Sequence, residues 1–319
     1  MKRKFSPSPI NPNSPVVNPK EEQFVLERIP PLAENKQRNL LGEEFEINKN
    51  SLQSVGKGSQ STAFVSGDHI YKTISIEGLN IFQNLNQNRY KNTICEIMRK
   101  ISELSEDWPN LNRVDECKLV EYEGKEYVII KENYIRDSFM LWDQFPELNK
   151  KQILEILLQI ILTINFLYQN KIYHNDLNYN NILLIDNHKT QYSIYSNNNF
   201  VPEYIVKIID YGLISYNNPL TRLFGYQNKE NYPPFCDICY IFALFYRHGL
   251  KHKPIEKEEL ENILKNIFNV SCGNFTNMSN AKNTRELVGL FNKNCNIQNQ
   301  ANFNEIINGI IIKLMDVIA

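Results

Sequence analysis

The chain has 319 residues, 42% hydrophobic and 22% charged, with a net charge of −1. That is ordinary globular composition and length enough for a two-lobed domain with a buried core. It excludes a chain that works as a polyelectrolyte ligand for nucleic acid. No run of 18 apolar residues occurs, so no membrane span is expected.

In chain order, residues 1–20 hold five of the fourteen prolines, and Ser6, Ser8 and Ser14 each precede one. The same stretch carries Lys2, Arg3, Lys4 and Lys20 and no acid, a charge of +4 that leaves −5 for the remainder. Such a segment buries too little apolar surface to offset its ordering entropy, and residues 1–42 read as a disordered arm. Lys2-Arg3-Lys4 reads as a nuclear address, a nucleic-acid contact or a solvated terminus. No apolar stretch follows this basic start, so a secretory signal is not expected. The six cysteines, Cys95, Cys117, Cys236, Cys239, Cys272 and Cys295, are therefore expected as free thiols.

Phe45 to Val55, Ser61 to Ser66 and His69 to Ile76 read as three short strands. Residues 87–105 read as a helix with Ile94, Ile97, Ile101 and Leu104 on one face. Tyr127 to Ile130 is a short strand, and 149–169 the clearest helix, with Asn170 as its C-cap. Asn181–Ile185 and Ile205–Ile209 are β-like, and the chain from Asp237 onward is mostly helical. Strands first and helices after predict an α+β fold of two lobes, 43–135 and 136–319, with a cleft between them.

The residues that carry chemistry follow the same order. Gly56-Lys57-Gly58-Ser59-Gln60-Ser61 occupies a strand–turn–strand, where glycines let a backbone approach phosphates. An ordinary hairpin turn has the same look. Lys72 lies on the third strand, and Glu96 in the following helix. A Lys–Glu pair across strand and helix would fix an ammonium against α- and β-phosphates. Tyr173-His174-Asn175-Asp176-Leu177-Asn178-Tyr179-Asn180-Asn181 forms a loop between the long helix and a strand. Its carboxylate and amide, five residues apart, put a base for an acceptor hydroxyl beside a magnesium ligand. Ile208-Ile209-Asp210-Tyr211-Gly212 ends an apolar strand in the pattern of a second magnesium ligand. Asp237 enters a nearly apolar helix, a costly place for a carboxylate without hydrogen bonds. Cys236, Cys239, His248 and His252 have zinc-like spacing, but the central gap is 8 residues where about 12 is usual, and a zinc site is not favoured.

With these motifs the chain resembles the haspin family of atypical histone H3 kinases. The resemblance runs over roughly residues 45–250. Lys72-Thr73-Ile74-Ser75-Ile76-Glu77-Gly78 is similar to that family's lysine strand, and Tyr90 to Leu104, with Cys95-Glu96-Ile97, to its helix. Ile208-Ile209-Asp210-Tyr211 matches its metal-binding element. Between Asn181 and Asp210 lie 28 residues, about twice the usual kinase spacing, where that family carries a hairpin insertion. Only 24 residues separate Gly212 from Asp237, with no Ala-Pro-Glu between them. Asn175 stands where the family has Arg, Asn178 where it has His, and Gly212 where it has Thr.

The resemblance implies a bilobal protein-kinase fold and an ATP- and Mg2+-dependent serine/threonine kinase. It assigns Asp176, Lys72, Glu96 and Asn181 to catalysis. Gly56, Gly58, Ser61, Lys72 and Asp210 fall to the nucleotide, and Asn181 and Asp210 to the metal. Asp237 would brace the catalytic loop. The implied substrate is a threonine of the histone H3 tail during mitosis, with chromatin association and a place in the nucleus or on chromosomes, or else the cytoplasm. Two other readings stand beside it. A small-molecule kinase of the choline or aminoglycoside type also shows His-Asn-Asp-Leu and Ile-Asp-Tyr. A scaffold without activity is the third, although all four chemical residues are present.

Overall fold

The computed structural model describes residues 32–57, 62–77, 87–187, 192–194, 198–216, 237–238, 241, 244–245, 262–263 and 300–318. They form a mixed α+β fold. Helix α1 is Glu34–Phe45, and strands β1, Gln53–Lys57, β2, Thr62–Ser66, and β3, His69–Ser75, follow. After α2, Gln87–Asp107, come β4, Val114–Tyr122, and β5, Lys125–Asn133. These strands make one antiparallel five-stranded sheet in the order β1-β2-β3-β5-β4.

The sheet buries side chains on both faces, as the period of two along β5 makes visible. Val128 and Ile130 join Ile94, Ile97, Met98 and Ile101 of α2 in the larger core. Tyr127 and Ile129 point the other way, into a smaller core with Leu40 and Leu41 of α1, Phe64 and Tyr71.

The second half opens with β6, Ser138–Met140, and the short α3, Leu141–Gln144. Helix α4, Lys150–Gln169, starts at Asn149, whose side chain accepts from the Gln152 N–H while the Gln152 side chain answers, a capping box. This helix is apolar and long enough to cross a membrane, yet 72% of that apolar window is buried inside the protein. The next strands are β7, Ile172–Tyr173, β8, Ile182–Asp186, β9, Tyr192–Ile194, β10, Asn198–Phe200, β11, Tyr204–Ile208, and β12, Ser215–Tyr216. Helix α5, Gln300–Ile318, supplies Ile307, Ile310, Ile311 and Leu314 to the larger core. Strands β11, β8 and β6 form a three-stranded sheet, and β12 pairs with β7. The long stretch between Asn181 and Asp210 contains the antiparallel pair β9–β10.

Three expectations are corrected, and one strand is added. The disordered arm does not extend to residue 42, because Leu40 and Leu41, at 1% and 0% exposure, seat α1 on the sheet. The first strand is only Gln53–Lys57, since Phe45 ends α1 and Glu46 leaves it at φ 54. Strand β4 was not foreseen at all. Its alternation is blurred by Glu116, Lys118 and Glu121, and it is β5 across the Glu123-Gly124 turn, both at positive φ, that holds it in place. Finally, Cys95 and Cys117 are joined in a disulfide. Packing of α2 on β4 sets their Cα atoms 5.2 Å apart, within bonding reach, across a sequence separation of 22.

Candidate functional site

The loop between β7 and β8 is built by short-range bonds and by braces from farther along the chain. His174 and Asn175 turn their backbone N–H groups onto one carboxylate, Asp237, at 3.0 Å each. Asn175 sits at φ 64, a left-handed conformation that asparagine tolerates. Its side-chain Nδ2 lies 2.9 Å from Tyr173 O, 2.8 Å from Leu213 O and 3.0 Å from Ser215 Oγ. Asn178 caps the single turn Tyr179–Asn181 by accepting from the Asn180 N–H. Asn181 donates to Asp176 O at 2.7 Å and to Asp176 Oδ2 at 3.1 Å. Asp176 and Asn181 are thus held together, as their spacing predicts.

Strand β11 pairs with β8 along its length, Ile208 opposite Ile182, and delivers Asp210 beside this loop. Ile209 N–H donates to Asn181 O at 3.0 Å, and His174 Nε2 lies 3.0 Å from Ile209 O. Asp210 takes φ 66 and ψ 72. Gly212 follows closely enough that a Cβ there would meet Ile74 Cδ1 at 3.2 Å and Asp210 Oδ1 at 3.4 Å. The position tolerates no larger residue without local movement.

Lys72 reaches the same point from β3. Its Nζ lies 3.5 Å from Asp210 Oδ1 and 3.3 Å from Glu132 Oε1. Glu132 is on β5 and only 1% exposed. Its other oxygen accepts from Asn112 Nδ2 at 3.0 Å. Tyr211, fully buried, accepts the Asn112 N–H at 2.9 Å and donates to Ile208 O at 2.8 Å.

The charges respond to this crowding. Burial, and then the nearby Asp210, push Asp176 up to about 6, against the pull of Asn178 and Asn181. Burial drives Asp237 to about 7, in spite of the two N–H donors. Burial lowers His174 to about 4, so the ring is neutral near pH 7. Burial alone would lower Lys72, but the carboxylates of Asp210 and Glu132 hold it above its ordinary value. Burial would raise Asp210, yet Lys72 and His174 keep it below the usual carboxylate range.

No protein-family model matches the chain, and a search of curated proteins finds no match.

The expected partner of Lys72 is corrected. Glu96 is exposed on α2, and among the described residues the ion pairs of Lys72 run to Glu132 and Asp210. The reason is helical phase: Ile94, Ile97, Met98 and Ile101 bury one face, and Glu96 lies roughly 200° round the helix from Ile94. Of the glycine-rich turn, Gly56 lies in β1 opposite Ala63, while Gly58 and Ser61 fall outside the described residues. So do Cys236, Cys239, His248 and His252.

Glu132 and Asn112 are the site residues that sequence reasoning missed. The available signal was that Glu132 keeps the strand phase of Val128 and Ile130, and a carboxylate on that inward face demands a partner.

Among the described residues no three His, Cys, Asp or Glu side chains lie together as a metal cage. Asp210 and Asn181 are the residues that would hold a magnesium ion bound with phosphate and water, which needs only one or two protein oxygens. Both Asn181 amide hydrogens are turned to Asp176, so its carbonyl oxygen is the end left for a cation.

Proposed function

We propose that the chain is an ATP-dependent phosphotransferase of the bilobal protein-kinase type. The observation that carries this is the convergence of Lys72, Asp176, Asn181 and Asp210 from two sheets and one braced loop. In this reading Lys72 binds the α- and β-phosphates and Asp176 orients the acceptor hydroxyl as its base. Asn181 and Asp210 would hold Mg2+, which supplies neutralisation of the phosphate charge. Asp237 keeps the loop backbone fixed while the acceptor is held in line. The N–H groups it binds would otherwise be buried without partners.

The resemblance makes the acceptor a serine or threonine, with a threonine of the histone H3 tail as the leading candidate. Chromatin association and a nuclear place go with that candidate, and a cytoplasmic place with the others. A small-molecule kinase is the second reading, favoured by Asn175 in His174-Asn175-Asp176-Leu177, where the histone kinase family has Arg.

Radiolabelled ATP offered with a histone H3 peptide, with protein mixtures and with choline separates these readings. Label in the peptide supports the first, and label only in choline the second. In the same assays Asp210→Ala is expected to cut turnover about 100-fold and to abolish the thermal shift given by Mg–ATP. An unchanged shift would make Asp210 a turn residue and sink the phosphotransfer reading.

A further inference from the structure

We propose that Glu132, on strand β5, positions Lys72 for nucleotide phosphates in place of a carboxylate on helix α2. The inference rests on the phosphotransfer reading above.

The register of the sheet makes the pair. Lys72 stands opposite Ile130, so Glu132, two residues on, is its diagonal neighbour on the same face. Diagonal neighbours lie about 7–8 Å apart at the backbone, within reach of two long side chains. Both are buried, at 6% and 1% exposure. A buried carboxylate and a buried ammonium are tolerable only when paired and hydrogen-bonded.

Glu132 divides its oxygens. Oε1 faces Lys72 Nζ at 3.3 Å and Oε2 faces Asn112 Nδ2 at 3.0 Å. Asn112 is fixed in turn by Asn133 O at 3.1 Å and by the Tyr211 hydroxyl at 2.9 Å. Tyr211 is the chain neighbour of Asp210, and Asp210 Oδ1 is 3.5 Å from Lys72 Nζ. Asp210, Lys72, Glu132, Asn112 and Tyr211 therefore close a circuit in which each member sets the place of the next. Asp210 is also the carboxylate a magnesium ion would claim, which leaves Glu132 as the counter-charge that stays with Lys72.

A separate observation removes the helix as the source of that charge. Cys95, beside Glu96, is bonded to Cys117 on β4. Helix α2 cannot turn Glu96 through about half a revolution toward Lys72 while that bond and the buried Ile94, Met98 and Ile101 hold its other face.

The test compares Glu132→Gln with Glu96→Gln in the full chain. Mg–ATP and adenosine binding are measured by calorimetry, and phosphotransfer rate is followed against Mg–ATP concentration. Glu132→Gln is expected to weaken Mg–ATP about tenfold in Kd and KM, with adenosine affinity within about twofold, since only the phosphates meet Lys72. Glu96→Gln stays within about twofold on every measure. Equal loss of ATP and adenosine affinity by Glu132→Gln would show a purely structural role and overturn the inference. Wild-type ATP binding by Glu132→Gln would do the same, as would a tenfold loss from Glu96→Gln. Should Glu132→Gln not fold, Asn112→Ala frees Oε2 and carries the same split at about threefold. Asp176→Asn is the control for the underlying reading. If it stops turnover while Glu132→Gln behaves as wild type, only this inference fails. A wild-type chain that binds no Mg–ATP sinks both.

Discussion

The Asp176 end of the site and the Lys72 end are held by different kinds of structure. Asp176 and Asn181 sit in a loop closed by bonds between residues two to five apart and braced from farther along the chain by Asp237, Ile209, Leu213 and Ser215. Lys72 and Glu132 sit on adjacent strands, 60 residues apart in sequence, and meet only because β3 and β5 pair in one register. A loop of the first kind carries its geometry in its own residue spacing. A sheet diagonal carries it in the pairing, and a slip of one residue would send Glu132 to the opposite face.

The largest effect expected is on the loop side. Asp176→Asn keeps the size of the side chain and removes the base, so turnover should fall about 100- to 10,000-fold while Mg–ATP affinity is nearly unchanged. Turnover near that of wild type would break the assignment of Asp176. The pH dependence sharpens it. In the proposed reading Asp176 acts as the carboxylate, and it is pushed up to about 6, so the rate should fall below that pH, about tenfold per unit. The sign follows from the raised value: protonation removes the active form as pH drops through 6. A rate flat from pH 7 to 5 would mean that Asp176 does not titrate in the step measured.

A change on the sheet side should act through stability instead. Leu41 of α1 is fully buried against the sheet face away from Lys72. Leu41→Ala should cost about 2–5 kcal/mol by denaturant unfolding, with rate per folded molecule unchanged at low temperature. A cost under about 0.5 kcal/mol, the level of surface substitutions, would show that α1 does not seat on the sheet in solution.

The same division explains what could be read in the sequence. The 173–181 loop and Asp210 were legible as short patterns whose residue types suggest their bonds, whereas the Asp237 brace followed from the resemblance, its place in an apolar helix showing only that it needed hydrogen bonds. Helix α4 was legible from the spacing of Ile153, Ile156, Leu157, Ile160, Ile161 and Ile164. Helix α1 was not, because Leu40 and Leu41 are adjacent and make no stripe. The Cys95–Cys117 bond and the Lys72–Glu132 pair both required knowing which elements pack. Glu96 is the instructive case. The periodicity that places Ile94, Ile97 and Ile101 inward already turns residue 96 outward, so family resemblance and helical phase disagreed within the sequence itself. Helical phase prevailed, because burying four apolar side chains outweighs one ion pair at the rim.

The smallest effect expected is at Asn175. In kinases controlled through their activation segment, an arginine at this position pairs with a phosphate there and orders it. Asn175 has no charge to offer a phosphate. Its Nδ2 instead meets Leu213 O and Ser215 Oγ, binding the start of the segment to the 173–181 loop through neutral contacts. Strand β12 adds a backbone tie, Ser215 pairing with Tyr173. Order at this point therefore needs no added charge. Protein made in bacteria and treated with phosphatase should transfer phosphate at the full rate. Asn175→Ala should lower the rate about two- to fivefold, the worth of one or two neutral hydrogen bonds. Asn175→Arg should do no better, since no phosphate is needed to receive the guanidinium. A tenfold loss on phosphatase treatment, restored by phosphorylation within residues 213–236, would show that the neutral tie is insufficient and that the segment is ordered by charge after all.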